Sequence, residues 1–162
     1  MKRRLWIWFS FWVSRPSITP FAMRIASKLD SLFMRLSGGR FYFSFLIPVL
    51  ILDCIGYKSG QTRAVPLLYV HYEDQYYVLG SNGAQPTEPT WCVNLRKQPK
   101  VSWHVKRSTF EGYARELPAH EKEFVWKKAL EIYPGYARYR ERLDRPIPIL
   151  SLIHISEPTR PY

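Results

Sequence analysis

Lys58 and Arg63 lie within Gly56-Tyr57-Lys58-Ser59-Gly60-Gln61-Thr62-Arg63-Ala64-Val65-Pro66-Leu67-Leu68-Tyr69, between two apolar runs. Gly56 and Gly60 permit a tight reversal, because glycine takes positive φ without steric cost. Both cations are then carried on a strand-loop-strand unit. Backbone N–H groups exposed by such a turn, beside fixed cations, make a site for an anionic group such as phosphate. The same residues also describe a solvated basic hairpin turn, and this stretch alone leaves both readings open.

Three further segments carry groups suited to binding. Ser81-Asn82-Gly83-Ala84 is a backbone-rich turn at the end of a strand-like run. In Thr90-Trp91-Cys92-Val93-Asn94-Leu95, helical spacing puts Trp91 and Asn94 on one face. Tyr133-Pro134-Gly135-Tyr136-Ala137-Arg138-Tyr139 concentrates phenols, which could equally be buried core with bonded hydroxyls. Several other chemistries fail on pattern. Lys58-Ser59 precedes the second glycine, so no phosphate-binding P-loop is present. There is no GxGxxG and no serine elbow. His71, His104 and His120 lack partners at metal-ligand spacing, and no metal is expected. Cys54 reads as core. With few acid–base or nucleophilic groups available, any enzyme built here would rely on a cofactor for the hard step.

The elements that must position these groups are mostly strands. Val49–Cys54 and Val65–Tyr72 flank the basic loop, Gln75–Gly80 follows a Glu73-Asp74 turn, and a helix spans Thr90–Lys97. Lys100–Lys106 and Thr109–Glu116 alternate as a hairpin. Pro118 opens a helix through Ile132, Tyr133–Arg142 is a second helical piece, and Ile147–Leu150 begins a last strand. Short antiparallel strands with peripheral helices predict a mainly β, α+β fold built as a small barrel over residues 41–149.

At 162 residues the chain fits one domain, and 46% hydrophobic with 16% aromatic residues argues for a packed core. Of its formal charge of +11, most is local. Eight cations (Lys2, Arg3, Arg4, Arg15, Arg24, Lys28, Arg35, Arg40) face one carboxylate, Asp30, in residues 1–40. Trp6, Trp8 and Trp12 interleave with them, as in an interfacial anchor. Thr19-Pro20 then opens a basic amphipathic helix through Leu36, stopped by Gly38-Gly39. This leader fits the anionic inner face of the cell membrane better than nucleic acid. Two cysteines in apolar contexts point to a reducing, cytoplasmic compartment. Residues 150–162 read differently: Leu150-Ser151-Leu152-Ile153-His154-Ile155-Ser156-Glu157-Pro158-Thr159-Arg160 looks like a translated sequencing-library adapter, which would end the native strand near Ile149.

In order, Gly-x-Lys-Ser-Gly-x-x-Arg-x-x-Pro-Leu, Ser-Asn-Gly, Pro-x-Trp-x-x-Asn-Leu-x-x-x-Pro, Tyr-Pro-x-Tyr, Asp-Arg and Ile-Pro occur between Val49 and Ile149. Together they resemble the nitroreductase family of deazaflavin (coenzyme F420)-dependent oxidoreductases. The resemblance implies a split β-barrel like that of FMN-binding reductases, and hydride transfer from reduced F420 to a quinone or nitro compound. It implies that Tyr57, Lys58, Ser59, Arg63, Val65 and Pro66 line the cofactor groove, with Lys58 and Arg63 facing phosphate and polyglutamate tail. Leu79, Gly80, Ser81 and Asn82 would present donors, and Trp91, Val93 and Asn94 would hold the deazaflavin. Tyr136, with Tyr133 and Tyr139, would cover the ring and meet the acceptor as the catalytic set. Asn82 and Cys92 stand where some members carry Lys and Tyr. The alternatives are an FMN- or haem-binding protein on the same barrel and, further off, a non-enzymatic basic module for nucleic acid.

Overall fold

The computed structural model describes residues 48–155. The leader and amphipathic helix expected over residues 1–40, and the strand reading that starts at Phe41, lie outside them. Within them the order is β1 (Val49–Ile55), β2 (Thr62–Tyr72), β3 (Gln75–Leu79), α1 (Thr90–Lys97), β4 (Lys100–Val105), β5 (Ser108–Glu116), α2 (Ala119–Ile132), α3 (Tyr136–Arg142) and β6 (Ile149–His154). The six strands close into an antiparallel barrel in the order β1-β2-β3-β6-β5-β4. The expected mainly β barrel with peripheral helices is what forms.

Period-two alternation explains the barrel interior. Leu50, Leu52 and Cys54 of β1, Val78 of β3, Val101, Trp103 and Val105 of β4, and Leu150 and Leu152 of β6 form one buried cluster. Trp91, Cys92 and Leu95 of α1 join this cluster. On the outer side, Val70, Leu79, Leu117 and Ile149 lie under α2 and α3, which contribute Val125, Trp126, Ala129, Tyr136 and Tyr139, with Tyr133 between the two helices. A second layer thus covers part of the sheet.

Several boundaries differ from the sequence reading. β2 starts at Thr62 rather than Val65, because Arg63 pairs with Cys54 and Thr62 with Ile55. Arg63 is therefore a strand residue, and the reversal contracts to residues 56–61. Gly56 N–H donates to Gln61 O at 2.9 Å and Gly60 N–H to Gly56 O at 2.7 Å, with Gly60 at φ +67°. The β2–β3 turn places Glu73 and Asp74 at φ 46° and 59°, as a two-residue type I′ hairpin demands. The second helical piece starts at Tyr136, after a Tyr133-Pro134-Gly135 turn. His104, expected as a plain strand residue, lies 2.6 Å from Asp53 Oδ2 and 2.9 Å from Thr109 Oγ1, tying β1 to β4 and β5.

β6 starts at Ile149, two residues after the expected start, and runs to His154. It pairs Tyr76 with Leu152 on one side and Ala114 with Leu152 on the other. The adapter-like residues 150–154 therefore occupy the closing strand, with Leu150 and Leu152 buried in the core. Gly112 lets β6 approach, since a Cβ there would collide with the Ile153 carbonyl oxygen.

Two variants test the closing strand. Leu152→Ala should cost about 3 kcal/mol by denaturant melt, the usual penalty for emptying a core leucine site. A chain ended at Ile149 should lose its cooperative transition. A truncated chain that melts like the full one would show that β6 does not close the barrel.

Candidate active site

A cavity of about 630 Å³ lies between the β1–β2 sheet, the 81–90 loop, α1 and the tyrosines of the α2–α3 corner. Its apolar wall is Val65, Pro66, Leu67 and Leu68 of β2 with Leu79 of β3. Trp91 and Asn94 face them from α1, one helical turn apart as the sequence spacing predicts. Arg63 sits at one side, exposed, and Ser81, Asn82 and Gly83 supply a polar turn. Tyr133, Tyr136 and Tyr139 complete the enclosure, stacked edge-to-face with Tyr136 centroids 5.3 Å from Tyr133 and 5.8 Å from Tyr139.

Residues predicted for the site thus separate into two groups. Arg63, Val65, Pro66, Leu79, Ser81, Asn82, Trp91, Asn94, Tyr133, Tyr136 and Tyr139 meet at this cavity. Tyr57, Lys58, Ser59, Gly80 and Val93 lie outside its lining. Val93 is displaced for a simple reason. At 100° per residue it points away from the face shared by Trp91 and Asn94. Tyr57, Lys58 and Ser59 form the exposed hairpin tip, where the Lys58 ammonium lies 5.6 Å over the Tyr57 ring. Gly80 acts through its missing side chain: a Cβ would lie 2.6 Å from both Cys92 Sγ and Pro148 Cγ. This packing fixes where the polar turn leaves β3.

Asn94 links the tip to the cavity. It is buried, its Oδ1 accepts the Tyr57 N–H at 3.3 Å, and its side chain hydrogen-bonds the Cys54 thiol. Burial pushes that thiol up, with the Asn94 bond opposing, so Cys54 is a neutral floor group and not a thiolate nucleophile. Burial also pushes the Tyr136 phenol well above 10.0, Tyr133 adds to the rise, and a hydrogen bond with Ser81 partly offsets it. Tyr136 therefore keeps its proton at neutral pH and can donate a hydrogen bond.

The one carboxylate on the wall, Glu88, is engaged from outside. Arg96 grips it in a fork, Nη1 at 2.9 Å and Nη2 at 2.6 Å, while Nε reaches Glu116 at 2.6 Å. Sequence reasoning missed Cys54, Thr87, Glu88 and Thr90 as lining residues, and nothing in their spacing announces them. The backbone-rich turn expected over Ser81–Ala84 takes a defined form. In the structure Asn82–Ala84 form a 3₁₀ turn, with Ala84 N–H donating to Ser81 O and Asn82 Nδ2 to Thr87 O. Behind them, Arg145 donates to carbonyl oxygens of Gly80, Ser81, Gln85, Pro86 and Thr87 at 3.1–3.3 Å. Among the described residues no three His, Cys, Asp or Glu side chains cluster as metal ligands.

Residues 27–154 match the family described as F420H(2)-dependent quinone reductase. An F420H(2)-dependent quinone reductase of Mycobacterium tuberculosis is 32% identical over 108 residues, covering 65% of this chain and 72% of that protein. A solved F420-H2 dependent reductase (FDR-A) superposes with a TM-score of 0.62 at 36% identity, over 65% of this chain and 94% of that one. Another solved chain, described as a domain-swapped dimer, gives a TM-score of 0.64 at 31% identity, over 83% of this chain and 98% of its own.

Asn94→Ala removes the acceptor for the Tyr57 N–H and the partner of the Cys54 thiol. It should cost about 1–2 kcal/mol in a denaturant melt and speed hydrogen exchange at the Tyr57 amide. An unchanged Tyr57 exchange rate would show that Asn94 does not anchor the hairpin.

Proposed function

The chain belongs to the F420H(2)-dependent quinone reductase family, and from that premise we propose that the cavity is where it binds reduced F420 and a quinone. The protein is an oxidoreductase with F420 as its cofactor. The family description names quinones, so the broader expectation of a nitro-compound acceptor narrows accordingly. What supports the placement is one observation: Arg63, Ser81, Asn82, Trp91, Asn94 and Tyr136, drawn from four separated segments, border a single space.

That space fits a flat tricyclic ring with an anionic tail. Its volume of about 630 Å³ suits a cofactor-sized ligand, its broad walls are apolar, and its polar groups are few and local. Trp91 with Val65 and Pro66 would confine the ring. Arg63 and the hairpin-tip Lys58 would hold phosphate and tail, with Tyr57 and Ser59 beside them. Lys58 lies beyond the cavity lining, which suits a tail that leaves the cavity for solvent. Leu79 and Gly80 lead the chain into Ser81 and Asn82, which offer hydrogen-bond donors, and Asn94 borders the ring from α1.

When bound, reduced deazaflavin supplies a hydride. The protein's own task is to hold the acceptor near, exclude water and provide a proton, since a quinone becomes a hydroquinone by taking one hydride and one proton. Tyr136 serves the last need in part, as a hydrogen-bond donor. Its phenol is buried and retained in the neutral form, so it can donate to the developing oxyanion. Tyr133 and Tyr139 pack against it and shape the acceptor side.

Fluorescence titration against F420 and FMN tests the cofactor reading. F420 should bind the more tightly, and Arg63→Ala and Lys58→Ala should each weaken it on the order of 10-fold, as loss of a charge-assisted contact does. Tighter FMN binding would favour a flavin protein on the same barrel. Tyr136→Phe should lower kcat on the order of 100-fold while leaving F420 affinity unchanged. Wild-type turnover should persist to pH values above the ordinary phenol value of 10.0, because the raised Tyr136 keeps its proton there. Unchanged turnover in both Tyr136→Phe and Tyr139→Phe would remove the proton-donor role.

The basic, tryptophan-bearing leader is further proposed to rest on an anionic membrane surface, where lipid-soluble quinones are concentrated. No helix among the described residues is long and apolar enough to cross a membrane. The full chain should co-sediment with phosphatidylglycerol vesicles and lose that binding in high salt. Equal partitioning by a chain lacking residues 1–40 would refute it.

A further inference from the structure

We infer that Arg145 is a positioning residue for the cofactor site, holding the 80–87 loop so that its carbonyl oxygens face away from the cavity. The inference rests on the placement of F420 proposed above. Its basis is the set of hydrogen bonds behind the loop. Arg145 Nε donates to Pro86 O at 3.1 Å, Nη1 to Gly80 O at 3.3 Å, and Nη2 is shared among Ser81 O, Gln85 O and Thr87 O at 3.2 Å each. Nη1 also reaches Pro146 O at 3.4 Å. A single planar fork thus gathers carbonyls from most of an eight-residue loop.

The sides are distinct. Ser81, Asn82, Gly83 and Thr87 line the cavity, and Arg145 does not. It borders instead a separate depression with Trp126, Pro146 and Ile149. Carbonyl oxygens carry partial negative charge and would repel an anionic or electron-rich ligand edge. Drawing them toward a cation on the far side removes that repulsion and leaves the cavity side to the donors of Ser81 and Asn82.

The loop needs such a template because its backbone is costly to hold. Asn82 and Ala84 stand at φ 51° and 59°, in the left-handed region that side chains other than glycine rarely enter. The internal bonds Ala84 N–H to Ser81 O and Gln85 N–H to Asn82 O close the turn but do not orient it relative to the barrel. Arg145 does so, because it lies in the short connection between α3, which ends at Arg142, and Pro148, whose carbonyl accepts the Gly80 N–H at 2.8 Å. Lysine cannot replace it fully: an ammonium has three donors and no fixed plane, whereas the guanidinium offers five in a rigid fork.

Arg145→Lys and Arg145→Met, made in the full chain, separate this role from general stability. The expected result is weaker F420 binding, on the order of 10-fold for the lysine variant and more for the methionine one. Quinone KM should be unchanged, the melting transition should stay cooperative, and backbone exchange at Ala84 and Gln85 should accelerate while β6 amides keep wild-type protection. F420 affinity and Ala84 and Gln85 exchange that both stay at wild-type values would overturn the inference while leaving the cofactor reading intact. Should the wild-type chain itself not bind F420, the cofactor reading fails. The exchange data then decide the inference alone: acceleration confined to residues 81–87 upholds the clamp, and no change removes it.

Discussion

Barrel closure is the constraint on which the rest depends. β6 contributes six residues that pair with β3 on one side and β5 on the other. Without it the β1-β2-β3 meander and the β4-β5 hairpin would join only through β1 and β4, and two hydrogen-bonding edges would stand open. The closure also sets the site. Pro148, just before β6, accepts the Gly80 N–H and packs against the Gly80 Cα, which fixes the exit of β3 into the loop bordering the cavity. Ile149 then seats the helices carrying the tyrosines.

A second dependence runs through α1. Its Trp91, Cys92 and Leu95 complete the inner core, yet Trp91 and Asn94 also border the cavity. One helix of eight residues serves both purposes because its faces differ by residue type. Arg96, on a third face, joins Glu88 of the loop to Glu116 of β5, and Lys122 of α2 adds to Glu116 at 3.3 Å. These pairs are partly exposed and individually modest in energy. Their collective effect is geometric: they hold the wall carboxylate against solvent-side cations.

The electrostatic design is thus one of removal as much as provision. Arg63 and Lys58 provide positive charge at one side. Arg96 and Arg145 remove negative charge, one from a carboxylate and the other from a row of carbonyls. Tyr136 adds a buried neutral donor instead of an ionisable acid. A hydride carrier needs little acid–base chemistry from its protein, and the chain accordingly commits its polar groups to orientation.

Element types and barrel class are legible in the residues alone, and the family resemblance adds most of the cavity-lining set. Alternation in Val49–Cys54 and Lys100–Lys106, the i, i+3 pair Trp91 and Asn94, and the clustered tyrosines are local patterns that encode a face directly. The sequence did not determine that Arg63 belongs to a strand, since that follows from pairing with Cys54. Nor did it reveal Cys54 and Glu88 as lining residues or Arg145 as a clamp. Arg145 lies about sixty positions from the carbonyls it holds, and only the closed barrel brings β3's exit beside β6's entry. Short-range spacing records which side of an element a residue occupies. Contacts across large sequence separations exist only once chain closure has been achieved, and the clamp behind the cavity is made of such contacts.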